Sequence, residues 1–204
     1  KEEVRYLAAS PNKRWFATGS TDRTVRLWES QFMPDVPTLK WHGSSVSGVA
    51  FSNDGSVLAS CSGAGDIALW NLKWTTRIGT LWHTTAGENR YVQSVAFHPT
   101  SKLLASAGQD GVLRLWDVSS PEAPKALPRL DVGARINSVV FHPSGSVLAC
   151  AGEDGLVHMW KSDMPTGTSP THLAELDDFK GQPITSLAYS PDGRWLAAGT
   201  GSPY

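Results

Sequence analysis

The chain has 204 residues, of which 40% are hydrophobic and 18% charged, an ordinary balance that predicts a globular fold with a sizeable core. The formal net charge of −1 argues against nucleic acid or an anionic membrane as the partner. Two cysteines are too few for a disulfide framework, and no apolar run approaches the ~20 residues that span a bilayer. The first residues lack the apolar region of a signal peptide, so we expect a reducing compartment, either the cytoplasm or, in a eukaryote, the nucleus.

Two motifs recur in phase along the chain. The first ends in a tryptophan, at Trp28, Trp70, Trp116 and Trp160, and consecutive copies are 42, 46 and 44 residues apart. The second lies upstream, as in AFSNDGSVLASCS from Ala50, and its fifth copy has no closing tryptophan. Such periodicity indicates a repeat architecture. The predicted repeats cover approximately residues 1–42, 43–83, 84–130, 131–176 and 177–204.

Each repeat reads as four short strands, here named a to d. In the second repeat these are expected at residues 46–52, 57–61, 67–72 and 77–82, because apolar runs there are separated by turn-forming residues. The same turn grammar, Pro-Asp-Gly or a close variant, recurs between strands a and b. Four full repeats and strands a and b of a fifth predict 18 strands in total.

The period, the closing tryptophan on strand c and the aspartate in the tight turn before it resemble the WD-repeat (WD40-type) β-propeller family. The resemblance covers essentially the whole chain, although only Trp116–Asp117 is a literal Trp-Asp pair. It implies an all-β fold of four-stranded antiparallel blades, with four full blades and half of a fifth. Rings of this family mostly have seven or eight blades, or roughly 300 residues at ~40–45 per blade, so we expect this sequence to be part of a larger ring.

The resemblance also gives the recurring polar residues a structural role. In a complete WD repeat, a His before strand a, a Ser or Thr on strand b, the tight-turn Asp and the strand-c Trp form one hydrogen-bonded tetrad. The matching positions are Thr18, Asp22 and Trp28; His42, Ser60 and Trp70; Ser106, Asp110 and Trp116; Asp154 and Trp160. Three positions depart from this pattern. In the second repeat Ala64 occupies the aspartate position, and Asp66 follows two residues later. In the fourth repeat Cys150 occupies the hydroxyl position, and in the third repeat His83 is a displaced candidate for the histidine.

No catalytic, cofactor or metal site is expected, so the chain is predicted not to be an enzyme. The Ser, His and Asp residues repeat around a ring instead of converging on one activated nucleophile, and no Cys or His pair has zinc-ligand spacing. Cys61 and Cys150 are expected to be buried thiols, and His98 and His142 to be turn residues. The four closing tryptophans, Trp15 and Trp195 are expected in the core, Trp41 and Trp82 between blades, and Trp74 in an exposed connection.

Within the family, partners most often bind the face that carries the d–a and b–c loops. The residues expected there are Arg5, Thr21, Tyr91, Gln93, Gln109, Arg135, Asn137 and Glu153, and residues 84–90 form a second candidate. The predicted function is a protein-interaction scaffold within a larger complex or multidomain chain, its partners being other proteins and further blades of the same chain. The alternative is the sensor region of a signalling protein, such as a nucleotide-switch or caspase-like fusion.

Overall fold

The computed structural model describes residues 2–30, 37–83, 91–162, 170–179 and 181–201. These residues form 19 β-strands. The first unit has β1 (Val4–Ala9), β2 (Trp15–Ser20), β3 (Thr24–Glu29) and β4 (Thr38–Lys40); the second has β5 (Val46–Phe51), β6 (Val57–Ser62), β7 (Asp66–Asn71) and β8 (Thr76–Trp82). The third has β9 (Val92–Phe97), β10 (Leu103–Gly108), β11 (Val112–Asp117), β12 (Lys125–Ala126) and β13 (Leu130–Asp131); the fourth has β14 (Ile136–Phe141), β15 (Val147–Gly152), β16 (Val157–Lys161) and β17 (Thr171–Leu176); the fifth has β18 (Ile184–Tyr189) and β19 (Leu196–Thr200).

Each unit is an antiparallel meander in which strands a, b, c and d pair in chain order. The prediction of four-stranded antiparallel blades followed by two strands of a fifth is therefore confirmed. The predicted count of 18 strands is wrong by one, because strand d of the third unit is divided into β12 and β13, which both pair with β11. Pro128 lies between the two pieces and has no N–H to donate to the ladder. None of the described segments forms a helix long and apolar enough to cross a membrane.

The core lies between neighbouring units. The strands a of consecutive units pack on one another, from β1 through β5, β9 and β14 to β18. The closing tryptophans of the second to fourth units face the unit before their own: Trp70 joins a buried cluster with Val25 and Leu39 of the first unit. Trp116 and Trp160 join the next two inter-unit clusters in the same way. The apolar side chains on both faces of a blade are thereby buried against its two neighbours, as expected for stacked repeats.

Two tryptophans predicted to be in the core are exposed. Trp28 is 41% exposed because it belongs to the first unit of this sequence, and the described residues offer no earlier unit for it to pack against. Trp195 is 71% exposed in the fifth unit, where the described strands are β18 and β19 alone. Both predictions are therefore wrong for the described residues. The other tryptophans at these positions pack on strands of a neighbouring sheet, and no such strands lie beside Trp28 or Trp195 among the described residues.

The tryptophans near strand d are also exposed. Trp41 and Trp82 were predicted to pack between blades, but 44% and 60% of their surfaces remain accessible. The guanidinium of Arg77 lies 3.6 Å from the centroid of the Trp41 ring, a cation–π contact on the surface. Trp74 is exposed in the c–d connection, as expected. Trp15 is half-buried against the first inter-unit cluster.

The turns between strands a and b connect consecutive units. His98 donates from Nε2 to the carbonyl of Gly145 in the next unit at 2.9 Å, and His142 donates likewise to Gly193 at 3.0 Å. Gly145 and Gly193 have φ values of 81° and 72°, and an added Cβ would lie 2.4 Å from the histidine ring in both cases. Glycine is therefore required at both positions for two reasons, the positive φ and the lack of space for a Cβ. The two histidines, predicted only as turn residues, are inter-unit contacts.

Candidate functional site

One edge of every unit gathers the start of strand a, the b–c turn and the end of strand d. Antiparallel pairing dictates this arrangement: in the second unit Val46 pairs with Ser62, and Asp66 pairs with Trp82. The same edge in all units forms one surface, called here the top face. The opposite edge carries the a–b turns and c–d connections.

One backbone hydrogen bond, repeated in every unit, joins strand b to strand a at the top face. In every unit the residue after strand b donates its N–H to the carbonyl of the residue just before strand a. This bond joins Thr21 to Glu3, Gly63 to Ser45, Gln109 to Tyr91, Glu153 to Arg135 and Gly201 to Pro183, at 2.9–3.2 Å. Each unit therefore holds a pair of neighbouring top-face residues at a fixed backbone separation.

Strand a has a register shift at its second residue in every unit. The displaced residues are Arg5, Ser47, Gln93, Asn137 and Thr185. Two of them reach the next unit: Ser47 donates to the carbonyl of Val92, and Asn137 donates from Nδ2 to that of Ile184 at 2.9 Å. Asn137, predicted as a partner-binding residue, therefore donates a side-chain amide N–H to an inter-unit hydrogen bond. Gln93 is half-buried, and its Oε1 has no hydrogen-bond partner among the described residues.

The most accessible of the predicted binding residues are charged. Arg5 pairs with Glu3 at 2.9 Å, and its side chain is 56% exposed. Arg135 and Glu153 lie 3.8 Å apart, and their side chains are 53% and 51% exposed. Such exposed pairs contribute little to stability, so these groups can exchange one another for groups of a partner.

Tyr91 lies at the join between the second and third units. A Cβ added to Gly63 would lie 2.7 Å from Cε2 of Tyr91. The tyrosine ring therefore covers the b–c turn of the second unit, where a larger residue than glycine would clash with it. The ring is half-buried, as are Thr21 and Gln109. Nearby Tyr6 has a pKa raised by burial and by the neighbouring Tyr91 and Cys61. Residues 84–90, the second predicted binding segment, lie outside the described residues.

The second unit contains a complete four-residue network beneath the top face. His42 contacts Asp66 through Nδ1 at 2.5 Å and Ser60 through Nε2 at 2.7 Å, while the Trp70 indole donates to Ser60 at 2.8 Å. Burial alone raises the pKa of Asp66, but hydrogen bonds from His42 and Ser62 hold it below its ordinary value. Asp66, which the sequence places two residues late, therefore takes the position left by Ala64.

The third unit repeats this network with a displaced histidine. His83 contacts Ser106 through Nδ1 at 2.7 Å and Asp110 through Nε2 at 3.3 Å, and the Trp116 indole donates to Ser106 at 2.8 Å. Burial raises the pKa of Asp110, yet the His83 contact brings it below the usual range. The structure therefore brings together all three residues predicted for this unit, with His83 as the fourth.

The first and fourth units depart from the predicted pairings. In the first, Trp28 donates to Thr18 at 2.9 Å, but Asp22 accepts from Thr24 and Arg26 instead of joining that pair. In the fourth, Asp154 accepts from His158 at 2.7 Å, a contact absent from the sequence-based prediction, and His158 stacks on Trp160. The expected Asp22–Trp28 and Asp154–Trp160 pairings therefore need correction, because each aspartate accepts a hydrogen bond from a strand-c side chain, Arg26 or His158.

The hydroxyls of these networks are poorly placed for nucleophilic catalysis. Ser60 and Ser106 are fully buried, and each is already bound by an imidazole and an indole. A nucleophile must reach a substrate, whereas these groups satisfy one another inside the blade. The arrangement supports a structural role for the recurring Ser, His and Asp residues.

The two thiols are buried, and we predict that they do not react in the folded protein. Cys61 and Cys150 have no exposed surface, and burial raises the pKa of Cys61 to about 12, so almost no thiolate exists near neutral pH. A thiol-specific chromogenic reagent should label neither residue under native conditions and both in denaturant. Rapid labelling of the native protein would contradict this prediction.

The opposite face carries a groove between the second and third units. It has a volume of about 320 Å³ and is lined by residues that include Val57, Phe97 and His98. Lys102 and Asp54 form an ion pair across it at 2.6 Å. Hydrogen bonds from Lys102 and Ser52 hold the pKa of Asp54 far below its ordinary range.

A family model described as WD domain, G-beta repeat matches residues 1–29, 34–71, 79–117, 131–161 and 173–202. The matches cover most of the chain, so the chain belongs to the WD-repeat family. The resemblance seen in the closing tryptophans and their spacing is confirmed.

Several curated proteins are similar to this chain. Nuclear distribution protein nudF of Aspergillus flavus is 34% identical over 59% of the chain, and Apoptotic protease-activating factor 1 of Rattus norvegicus is 33% identical over 59%. Protein HIR1 of Kluyveromyces lactis is 27% identical over 96% of the chain. The matched regions span 26%, 10% and 26% of these relatives, so the chain corresponds to a small part of each.

Proposed function

We propose that this chain is a non-catalytic protein-binding module whose partner docks on the top face, within a larger complex or a longer multidomain chain. WD-repeat domains generally mediate protein–protein interactions. The observation that carries the proposal is the backbone bond repeated between strand b and strand a. It presents Arg135 beside Glu153 and Tyr91 beside Gln109 on a framework that does not need to reorganise. Preorganisation of this kind reduces the entropic cost of binding.

The chemistry of the accessible residues supports a protein partner. Arg5, Tyr91 and Arg135 belong to the residue types enriched among interface hot spots, and both arginines are more than half exposed. Their neighbours Glu3 and Glu153 balance the charge, which favours a mixed polar partner surface over a polyanion. The top face therefore suits a partner with its own alternating acidic and basic groups.

The sensor region of a signalling protein is the second candidate. The similarity to Apoptotic protease-activating factor 1 favours it, since that protein's name describes the activation of a protease. Nuclear distribution protein nudF is similar to the same degree, however, and its name describes a different process. A nucleotide-binding domain elsewhere in the full-length chain would favour the sensor role.

The test is affinity capture from the native source with the full-length protein. We expect the triple variant Arg5→Ala, Tyr91→Ala, Arg135→Ala to retain a principal partner at least tenfold less well, because hot-spot side chains contribute more than about 1 kcal/mol each. Lys102→Ala on the opposite face is the matched control and should retain the partner. Thermal unfolding of the parent and both variants checks that all three proteins fold. Partner loss with Lys102→Ala and retention by the triple variant would place the interface on the opposite face.

A further inference from the structure

Three metal-ligating side chains converge on the outer two strands of the fourth unit. His158 lies on β16, and His172 and Glu175 lie on β17. The ligand atoms of the three residues all lie within 4.8 Å of one another. His158 is almost buried, whereas His172 and Glu175 are about half exposed. The cluster therefore has one fixed member and two that solvent can reach.

A β-bulge brings His172 and Glu175 to the same face. Residues three apart on a regular strand point to opposite faces, because side chains alternate with a period of two. Here Met159 pairs with Ala174 and Trp160 pairs with His172, so Leu173 is an extra residue in β17. The extra residue reverses the alternation, and both side chains lie on the face that carries His158 and Trp160.

Asp154 fixes the orientation of the His158 ring. Its carboxylate lies 2.7 Å from Nε2 of His158, and since a carboxylate can only accept, Nε2 carries the proton. In the neutral ring Nδ1 then presents a lone pair, which faces Oε1 of Glu175 at 3.4 Å. Two electron-rich atoms facing each other at this distance require a cation between them or a proton on Nδ1. A carboxylate that orients a histidine in this way is the usual outer partner of a metal ligand.

The indole of Trp160 holds both imidazoles in place. The His158 ring stacks on it with centroids 5.8 Å apart and planes at 19°. The His172 ring meets it edge-on at 5.8 Å and 73°. The histidines therefore have an apolar support on one side and Glu175 on the other, which limits the motion that a loose surface cluster would have.

We propose that His158, His172 and Glu175 form a binding site for a divalent transition-metal ion, with Zn²⁺ as the best fit. Two imidazoles and one carboxylate are ligands that zinc accepts readily. Bonds of about 2.0–2.1 Å to a tetrahedral ion place ligand atoms about 3.3–3.4 Å apart. Glu175 lies 3.4 Å from Nδ1 of His158 and 3.5 Å from Nε2 of His172. Three protein ligands leave a fourth position open on the exposed side.

No metal site is expected from the sequence, since no pair of Cys or His residues has zinc-ligand spacing. The site arises from strand pairing across 13 intervening residues and from a bulge that the sequence pattern does not reveal. It lies near the top end of strands c and d of the fourth unit, close to the b–c turn that holds Glu153 and Asp154, but the proposal does not depend on the top-face interface. A bound ion would join strands c and d of the fourth unit at their outer edge.

The test is zinc titration of the full-length protein without a histidine tag, measured by calorimetry with Zn²⁺ alone. We expect one ion per chain, and at least tenfold weaker binding by His172→Ala and by Glu175→Gln. Asp178→Asn, an exposed carboxylate just beyond β17, is the control and should bind as the parent does. Asp154→Asn should weaken binding about 10–100-fold through the orientation of His158. Substitution with Co²⁺ should give the visible absorption of a tetrahedral site.

The competing explanation is a hydrogen-bonded cluster in which His158 is protonated between two carboxylates. In that case the parent protein would bind no zinc, or the single variants would bind it as well as the parent, and either result would overturn the proposal. Thermal unfolding in the presence of a chelator checks that the variants fold. Zinc should raise the unfolding midpoint of the parent and of Asp178→Asn, but not that of Glu175→Gln.

Discussion

Replacement of His42 by alanine should lower the free energy of unfolding by about 3–5 kcal/mol, because it leaves the buried carboxylate of Asp66 without its imidazole partner. The His42 and Asp66 side chains are 0% and 4% exposed, so water cannot replace the lost contact without local opening. Ser60 would lose its imidazole contact at the same time. Urea-induced unfolding followed by tryptophan fluorescence measures the change.

Two comparisons make this expectation specific. His83→Ala removes the equivalent residue of the third unit and should cost somewhat less, because the His83–Asp110 contact is longer, at 3.3 Å. His172→Ala, measured with a chelator present, removes an exposed imidazole and should change the free energy of unfolding by less than about 0.5 kcal/mol. A loss below 1 kcal/mol for His42→Ala would show that the network contributes little to stability.

Gly152→Ala should be the most damaging of the small substitutions on the top face. An added Cβ would lie 1.7 Å from the carbonyl oxygen of Arg135, which accepts the N–H of Glu153. The carbonyl must move, so the repeated backbone bond of the fourth unit breaks. We expect a cost of about 1–3 kcal/mol or more, typical of overpacking, together with weaker capture of any partner that uses Arg135.

Gly43→Ala is the matched control, since an added Cβ there meets nothing within 4 Å. Its free energy of unfolding should equal that of the parent or rise slightly, because alanine reduces the entropy of the unfolded chain. Urea unfolding of both variants makes the comparison. Equal stability of Gly152→Ala and Gly43→Ala would mean that the b–a bridge yields easily and does not fix the top face.

The sequence predicts the repeated part of this molecule well. Strands in the second unit were expected at 46–52 and 57–61 and are found at Val46–Phe51 and Val57–Ser62. The reason is that apolar alternation and turn residues are local signals, and each occurs several times in phase. Cys61, expected to be a buried thiol, is fully buried.

The features that the sequence does not reveal depend on register and on neighbours. Asp66 completes a network from within β7, which a count of residues back from Trp70 cannot anticipate. The bulge at Leu173 reverses the alternation that a period of two predicts for His172 and Glu175. The exposure of Trp28 depends on which unit lies beside it, and no local pattern carries that information.

The contacts between units run in both directions along the chain. Each closing tryptophan of the second to fourth units packs back on the unit before it, while His98 and His142 reach forward to the unit after theirs. Each of the second to fourth units is thus stabilised from two sides. In a one-dimensional array with nearest-neighbour coupling, the stability of a unit depends on the units beside it. A substitution that opens the third unit should therefore also lower the protection of the second and fourth units against local unfolding.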